Sequence, residues 1–314
     1  AQARYQALLE QKRVALSQYS EASKKIYWLM FVALGMLACA EDSKLGEIPS
    51  LTQEYTLPQG NSPADDRIVD LHDKYGTFVL YEYIEADLKW LQVDVNNTWG
   101  DYEYTQPNPL YAGNVLDLLG ECWFRFYPAE FHEKFMPYKI FLTSTLKYVS
   151  FTGAETMMNS RVVQTQMVVS HCSEEVKNMT QADKVAFKND LQSKLWGSWL
   201  SKFDIPGEFY GVSNYYGKAS SDPTNWNYAR ERGFVADSKG TEWSTQDPWP
   251  SSTLSESADL DAFLSGMRNR TSEEWAEDLT YPLVKKKYDI LRNYFLEKFN
   301  FDIQKIGDAN AVTE

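Results

Sequence analysis

Five large apolar residues recur four apart between positions 187 and 203: Phe187, Leu191, Leu195, Trp199 and Phe203. At helical spacing they form one continuous stripe, and a stripe of this bulk is stable only against a core. Thr180, with Asp183 three residues on, supplies a capping box at which such a helix starts. Val284, Tyr288, Leu291 and Phe295 form a second stripe, which predicts a helix from about Pro282 to Phe299. The chain therefore carries a mainly helical second half.

The first half reads differently. Asp65–Lys74 has helix-forming composition. Gly76 then leads into TFVLYEY, rich in strand formers, and a second strand near Leu88–Val95 would complete a hairpin. Helices are expected over Asn108–Phe126 and Ala129–Phe135, and strands over Tyr138–Thr143 and Val162–Ser170. The expected fold is α+β: a small N-terminal sheet with helices, a helical C-terminal half, and a cleft between them. Residues 65–308 are read as one domain, with a mixed α/β part over 65–179 and a mainly helical part over 180–308.

Lys24 and Lys25 precede an uncharged run, Ile26–Ala38, which ends at Cys39. Thirteen residues are too few to cross a bilayer but suit the apolar region of a signal peptide. Met36–Cys39 reads MLAC and resembles a lipobox, so Cys39 is the expected lipid attachment site. Ala40, Glu41 and Asp42 follow, an early acidic pattern that points to the outer membrane, facing the exterior, with the periplasmic face as the alternative. Residues 1–23 are a polar, helix-prone extension expected to arise from a start read too far upstream; 39–64 is a Ser-, Pro-, Gly- and Gln-rich tether.

The formal charge is −13, and without residues 1–38 it becomes −16, with 26 basic and 42 acidic residues. This balance, with no basic cluster, excludes nucleic acid and anionic membrane surfaces as expected partners. The run Lys285–Lys287 reads as a solvated helix face, and Glu256, Asp259 and Asp261 as the solvated start of a helix. Cys122 and Cys172 are left either to pair in an oxidising envelope or to remain as small buried residues.

Several blocks occur in order: the lipoprotein signal, Asp65–Val93, the Trp/Phe-rich Leu116–Phe126, and YPAEFHEKFMPYKIFLTS (Tyr127–Ser144). IPGEFYGVSNYYG (Ile205–Gly217), ARERGFVADS (Ala229–Ser238), TSEEW (Thr271–Trp275) and YPLVKKKYDILRNYFLEKFNFDIQKI (Tyr281–Ile306) follow. This series resembles the zinc metallopeptidase lipoproteins found beside TonB-dependent nutrient importers in Gram-negative bacteria, over nearly all of residues 65–306. The resemblance implies a zincin-type scaffold whose long helix carries HExxH, with an acidic third ligand before the EEW element. Here Ser193, Lys194 and Gly197 stand at the His, Glu and His positions, and Ala262 at the acidic one.

HExxH works because residues four apart share a helix face, so two imidazoles meet one Zn²⁺ while the glutamate activates its water. Ser193, Lys194 and Gly197 supply none of this. Elsewhere the chain has only three histidines, His72, His132 and His171, and Met136 stands where a motif begun at His132-Glu133 needs its second His. His171, Cys172, Glu174 and Glu175 lie close in sequence without a second ligand pair at zinc spacing. No cofactor is therefore expected, whereas family relatives bind zinc. Pro206–Pro250 holds nine aromatics. Tyr215, Tyr216, Trp226 and Tyr228 among them read as ring staples or, through the family resemblance, as a platform bordering the cleft that holds a peptide or glycan. The expected function is a catalytically inactive, lipid-anchored accessory lipoprotein of nutrient import, a binding or structural module whose partners are a TonB-dependent importer and its substrate-binding lipoprotein. The alternative is a working hydrolase of that family with a non-standard site, using Lys194 or the acids near Glu256.

Overall fold

The computed structural model describes residues 55–91, 100–217, 219–236 and 254–311. The signal sequence, Cys39 and the tether up to residue 54 lie outside the described residues. Among the described residues no helix is long and apolar enough to cross a membrane.

Helix α1, Asp65–Tyr75, opens with Asp65 and Asp66 in its first turn and closes at Gly76, which adopts φ 69° in the left-handed region that ends helices. Strand β1 follows at Phe78–Leu80, with all three residues buried. The expected hairpin does not form. Glu85–Leu91 is instead a 3₁₀ helix that buries Leu88 and Leu91, and Asp87 accepts the Ile84 amide at 2.8 Å to start it. Residues 92–99 lie outside the described residues. The real neighbour of β1 is β3, Lys139–Leu142, paired in parallel so that Val79 faces Ile140. A buried parallel strand reads as a short continuous apolar run, which FVL is.

Between β1 and β3 come β2 (Gly100–Thr105), α2 (Ala112–Cys122) and α3 (Ala129–Phe135). After β3 come β4 (Thr145–Ser150), β5 (Glu155–Met157), β6 (Ser160–Val163) and β7 (Gln166–Val169). The expected strand Val162–Ser170 is thus the hairpin β6–β7. It turns at Gln164, whose φ of 53° lacks the Gly or Asn that normally announces such a turn. Two sheets result: β1-β3-β7-β6, with only β6 antiparallel, and the antiparallel β2-β4-β5.

The second half holds α4 (Gln181–Trp199), the short α5 (Gly207–Tyr210), α6 (Glu256–Asn269), α7 (Pro282–Phe299) and α8 (Gln304–Asp308). The capping box at Thr180 and Asp183 is formed in both directions. Phe187, Leu191, Leu195 and Trp199 are buried, as are Val284, Tyr288, Leu291 and Phe295. One apolar cluster runs from Ile68 and Val79 through Trp123 and Phe131 to Trp199, Phe295 and Ile306. A second lies on the other side of the four-stranded sheet, where Phe78, Leu80, Phe141 and Val168 meet Leu88, Leu91 and Leu146. The architecture is α+β, as expected.

Candidate functional site

Helix α4 packs along β6, the edge strand of the four-stranded sheet. Because the stripe from Phe187 to Trp199 claims the inner face, Asp190, Ser193, Lys194 and Gly197 share the opposite one at helical spacing. Ser193 and Gly197 are exposed and Lys194 is half-buried. A side chain added at Gly197 would meet no atom within 4 Å.

Lys194 spans from helix to strand: its Nζ donates to the Ser160 carbonyl at 2.5 Å and to Asp190 Oδ2 at 2.8 Å. Ala262 lies on α6, half-buried and packed against the main core. These positions present a hydroxyl, an ammonium, a hydrogen and a methyl group, so the residues present do not fit a zinc ion. Among the described residues no three His, Cys, Asp or Glu side chains converge as a metal site.

The edge of β6 is chemically open. The Ser170 amide bonds to the Asn159 carbonyl at 2.9 Å, and the β6–β7 register pairs Arg161 with Val168 and Val163 with Gln166. In antiparallel pairing the alternate residues Ser160 and Val162 turn their amides and carbonyls outward. Lys194 takes the Ser160 carbonyl. Val162 is left with its outward groups unpaired among the described residues.

Among the described residues, His132, His171, Cys122 and Cys172 are engaged within the fold. His132 Nε2 lies 3.0 Å from the Phe124 carbonyl and His171 Nε2 lies 2.9 Å from Asn159 Oδ1. Burial lowers the pKa of both. Cys122 and Cys172 are separate buried thiols, not a disulfide. Each is pushed up to about 12 by burial and therefore unreactive as a nucleophile.

The four singled-out aromatics do not form one platform. Tyr216 and Trp226 are 87% and 92% exposed, whereas Tyr228 is buried and accepts from Arg230 Nη1 at 2.8 Å. Tyr215, half-buried, donates to Asp259 Oδ2 at 2.5 Å. Residues 237–253, including Trp243 and Trp249, lie outside the described residues.

Lys287 and Asp259, both expected on solvated helix faces, are enclosed instead. Lys287 and Asp259 are both fully buried and pair at 2.6 Å, with the ammonium 4.4–5.6 Å from the ring centroids of Phe209, Tyr215, Phe234 and Phe263. Lys287 stands three residues after Val284 and four before Leu291, so the spacing that marked the α7 stripe also reached it. Removing water from a charge is tolerable here only because the partner and the ring faces replace it. Asp259 is consequently not available as a catalytic acid.

Lys188, on the inner face of α4, is a second buried cation that sequence reading passed over. It donates to the carbonyls of Arg268 at 3.0 Å and Ile306 at 2.6 Å, which tie α6 and α8 to α4. Burial lowers its pKa to about 7. Unfolding restores the ordinary lysine value, so above about pH 7 the unfolded chain binds more protons and stability rises with pH towards about 10. Below pH 7 both states are protonated and the burial penalty remains in full. Relative to Lys188→Met, the wild-type chain is expected to gain about 2 kcal/mol between about pH 7.5 and 9.5, measured by urea unfolding of both proteins at each pH.

Neither known protein families nor curated proteins provide a match to this chain. Among solved structures, the chain is similar to a crystal structure at 2.10 Å of a candidate zinc-binding metallo-peptidase from Bacteroides caccae. The two share 14% identity over 78% of this chain and 89% of the other, with a TM-score of 0.42, a likeness too distant to transfer a function.

Proposed function

We propose that this protein is a non-catalytic binding module on a metallopeptidase-like scaffold, anchored to the outer membrane through lipid on Cys39 and serving a TonB-dependent nutrient importer and its substrate-binding lipoprotein. Its ligand is an extended peptide segment that adds to the open edge of β6 beside α4. The observation that carries this reading is Lys194. Its ammonium is shared between Asp190 and the Ser160 carbonyl at the helix positions where the resemblance would set metal ligands. A cation held there opposes metal binding and is itself too engaged to act as a base. The outward amide and carbonyl of Val162 support the peptide reading, since strand addition draws its affinity from such main-chain groups.

The test is elemental analysis of the purified chain after dialysis against excess zinc, together with titration of a short extended peptide. Near-zero zinc and saturable peptide binding that Val162→Pro removes are expected, because proline deletes the outward amide. About one zinc per chain would overturn the proposal.

A further inference from the structure

A small recess opens where the first turns of α4 meet the end of α2, lined by Lys188, Lys184, Arg125, Glu121, Cys122 and Gln181. It has about 10 Å³ of room, space for one particle of about the size of water.

Charge around this recess does not balance. Lys184 and Glu121 pair at 2.8 Å and offset each other. Lys188 is 2% exposed and has no such partner. An ammonium carries three donors. The carbonyls of Arg268 and Ile306 accept two of them, and among the described residues the third has no acceptor. Arg268 is itself a buried cation that repels Lys188. It lies over the Trp196 ring at 4.5 Å, its Nε has no partner, and the exposed Asp261 acts on it only through space. Cys122 supplies no negative charge, because burial holds it as a thiol. Buried charges are ordinarily paired, yet two cations share this part of the core without a carboxylate, and a water-sized recess lies against one of them.

We propose that the recess holds a monatomic anion, chloride, which accepts the third N–H of Lys188 and offsets the charge buried on Lys188 and Arg268. Arg125, exposed at the rim, adds a further positive charge. A water molecule would fill the room and leave both buried cations without a counter-charge. A carboxylate, phosphate or sulfate is larger than the space.

Chloride binds the ammonium of Lys188 and not the free amine, so its effect depends on pH. Without the anion burial lowers the pKa of Lys188 to about 7; bound chloride raises it, and binding is therefore full at pH 6 and weak at pH 9. The other titratable groups facing Lys188 are Glu121, Cys122, Arg125 and Lys184 around the recess and Arg268 beside it.

The test is thermal melting of the full chain in sodium chloride and in sodium gluconate at equal ionic strength, which holds screening constant. At pH 6 and about 200 mM salt, the midpoint in chloride is expected about 4 °C above that in gluconate, as a Kd of about 10 mM would give, and at pH 9 within about 1 °C of it. Lys188→Met is expected to abolish the difference, and Arg125→Gln, an exposed change, to weaken chloride about threefold. Equal midpoints in the two salts at pH 6 would show an uncharged Lys188 or a water in the recess and overturn the proposal. A difference of the same size at both pH values, or one that persists in Lys188→Met, would overturn it as well. If Lys188→Met does not fold, the pH dependence and Arg125→Gln decide.

Discussion

Lys287→Met is expected to lower the unfolding free energy by about 4 kcal/mol, because it leaves the Asp259 carboxylate buried without its counter-charge. Both members of the pair are fully buried and 2.6 Å apart. The other group bonded to the carboxylate is the Tyr215 hydroxyl, which cannot replace a cation. Burial already raises the pKa of Asp259, and loss of the ammonium that opposes this raises it further. The isolated carboxyl therefore takes up a proton that the unfolded chain does not hold, so stability of the variant falls as pH rises. Urea unfolding should accordingly show a larger loss at about pH 8 than at about pH 5. Asp259→Leu combined with Lys287→Met is expected to recover most of the loss, since an apolar pair of similar volume needs no compensation. If Lys287→Met alone proves neutral, the pair is not the closed unit described.

Trp199→Ala is expected to cost about 4 kcal/mol, the usual range for emptying an aromatic site in a core. Trp199 is 2% exposed, and its ring lies 5.5 Å from that of Tyr127, 5.1 Å from Phe131 and 6.0 Å from Phe135. Its Nε1 also donates to the Phe135 carbonyl at 3.0 Å. The side chain thus joins the last turn of α4 to α3, and its removal opens a cavity where the two halves of the chain share one core. Trp199→Phe keeps much of the ring and loses the donor, so a cost of about 2 kcal/mol is expected. Guanidinium unfolding of the three proteins provides the comparison. Equal stability of Trp199→Ala and wild type would show that this part of the core is not packed as described.

The candidate site was partly legible. Ser193, Lys194 and Gly197 fall outside the stripe of four-residue spacing, and α4 turns them away from the core, with Ser193 and Gly197 exposed. What could not be read was the partner of Lys194. Ser160 lies more than thirty residues away, on a hairpin whose turn at Gln164 lacks the usual residues. Ala262, which the resemblance aligns with the acidic ligand position, is half-buried on α6 against the main core. The aromatic group divided because two of its rings found buried hydrogen-bond partners and two did not.

Local interactions explain what the sequence by itself determined. The capping box at Thr180, the stripes of α4 and α7, and the short helix Ala129–Phe135 each depend on residues within a few turns of one another, so spacing alone specifies them. Tertiary structure decided two other matters. The first is strand pairing: β1 and β3 lie some sixty residues apart, and nothing local distinguishes a parallel partner from a hairpin. The second is the fate of charge. Lys285 is largely exposed and bonds to Asp289 within its own helix, while Lys287, two residues on, is fully buried against Asp259. The same side chain in the same run is solvated or enclosed according to the helix face it occupies and whether a distant carboxylate waits there to offset its desolvation.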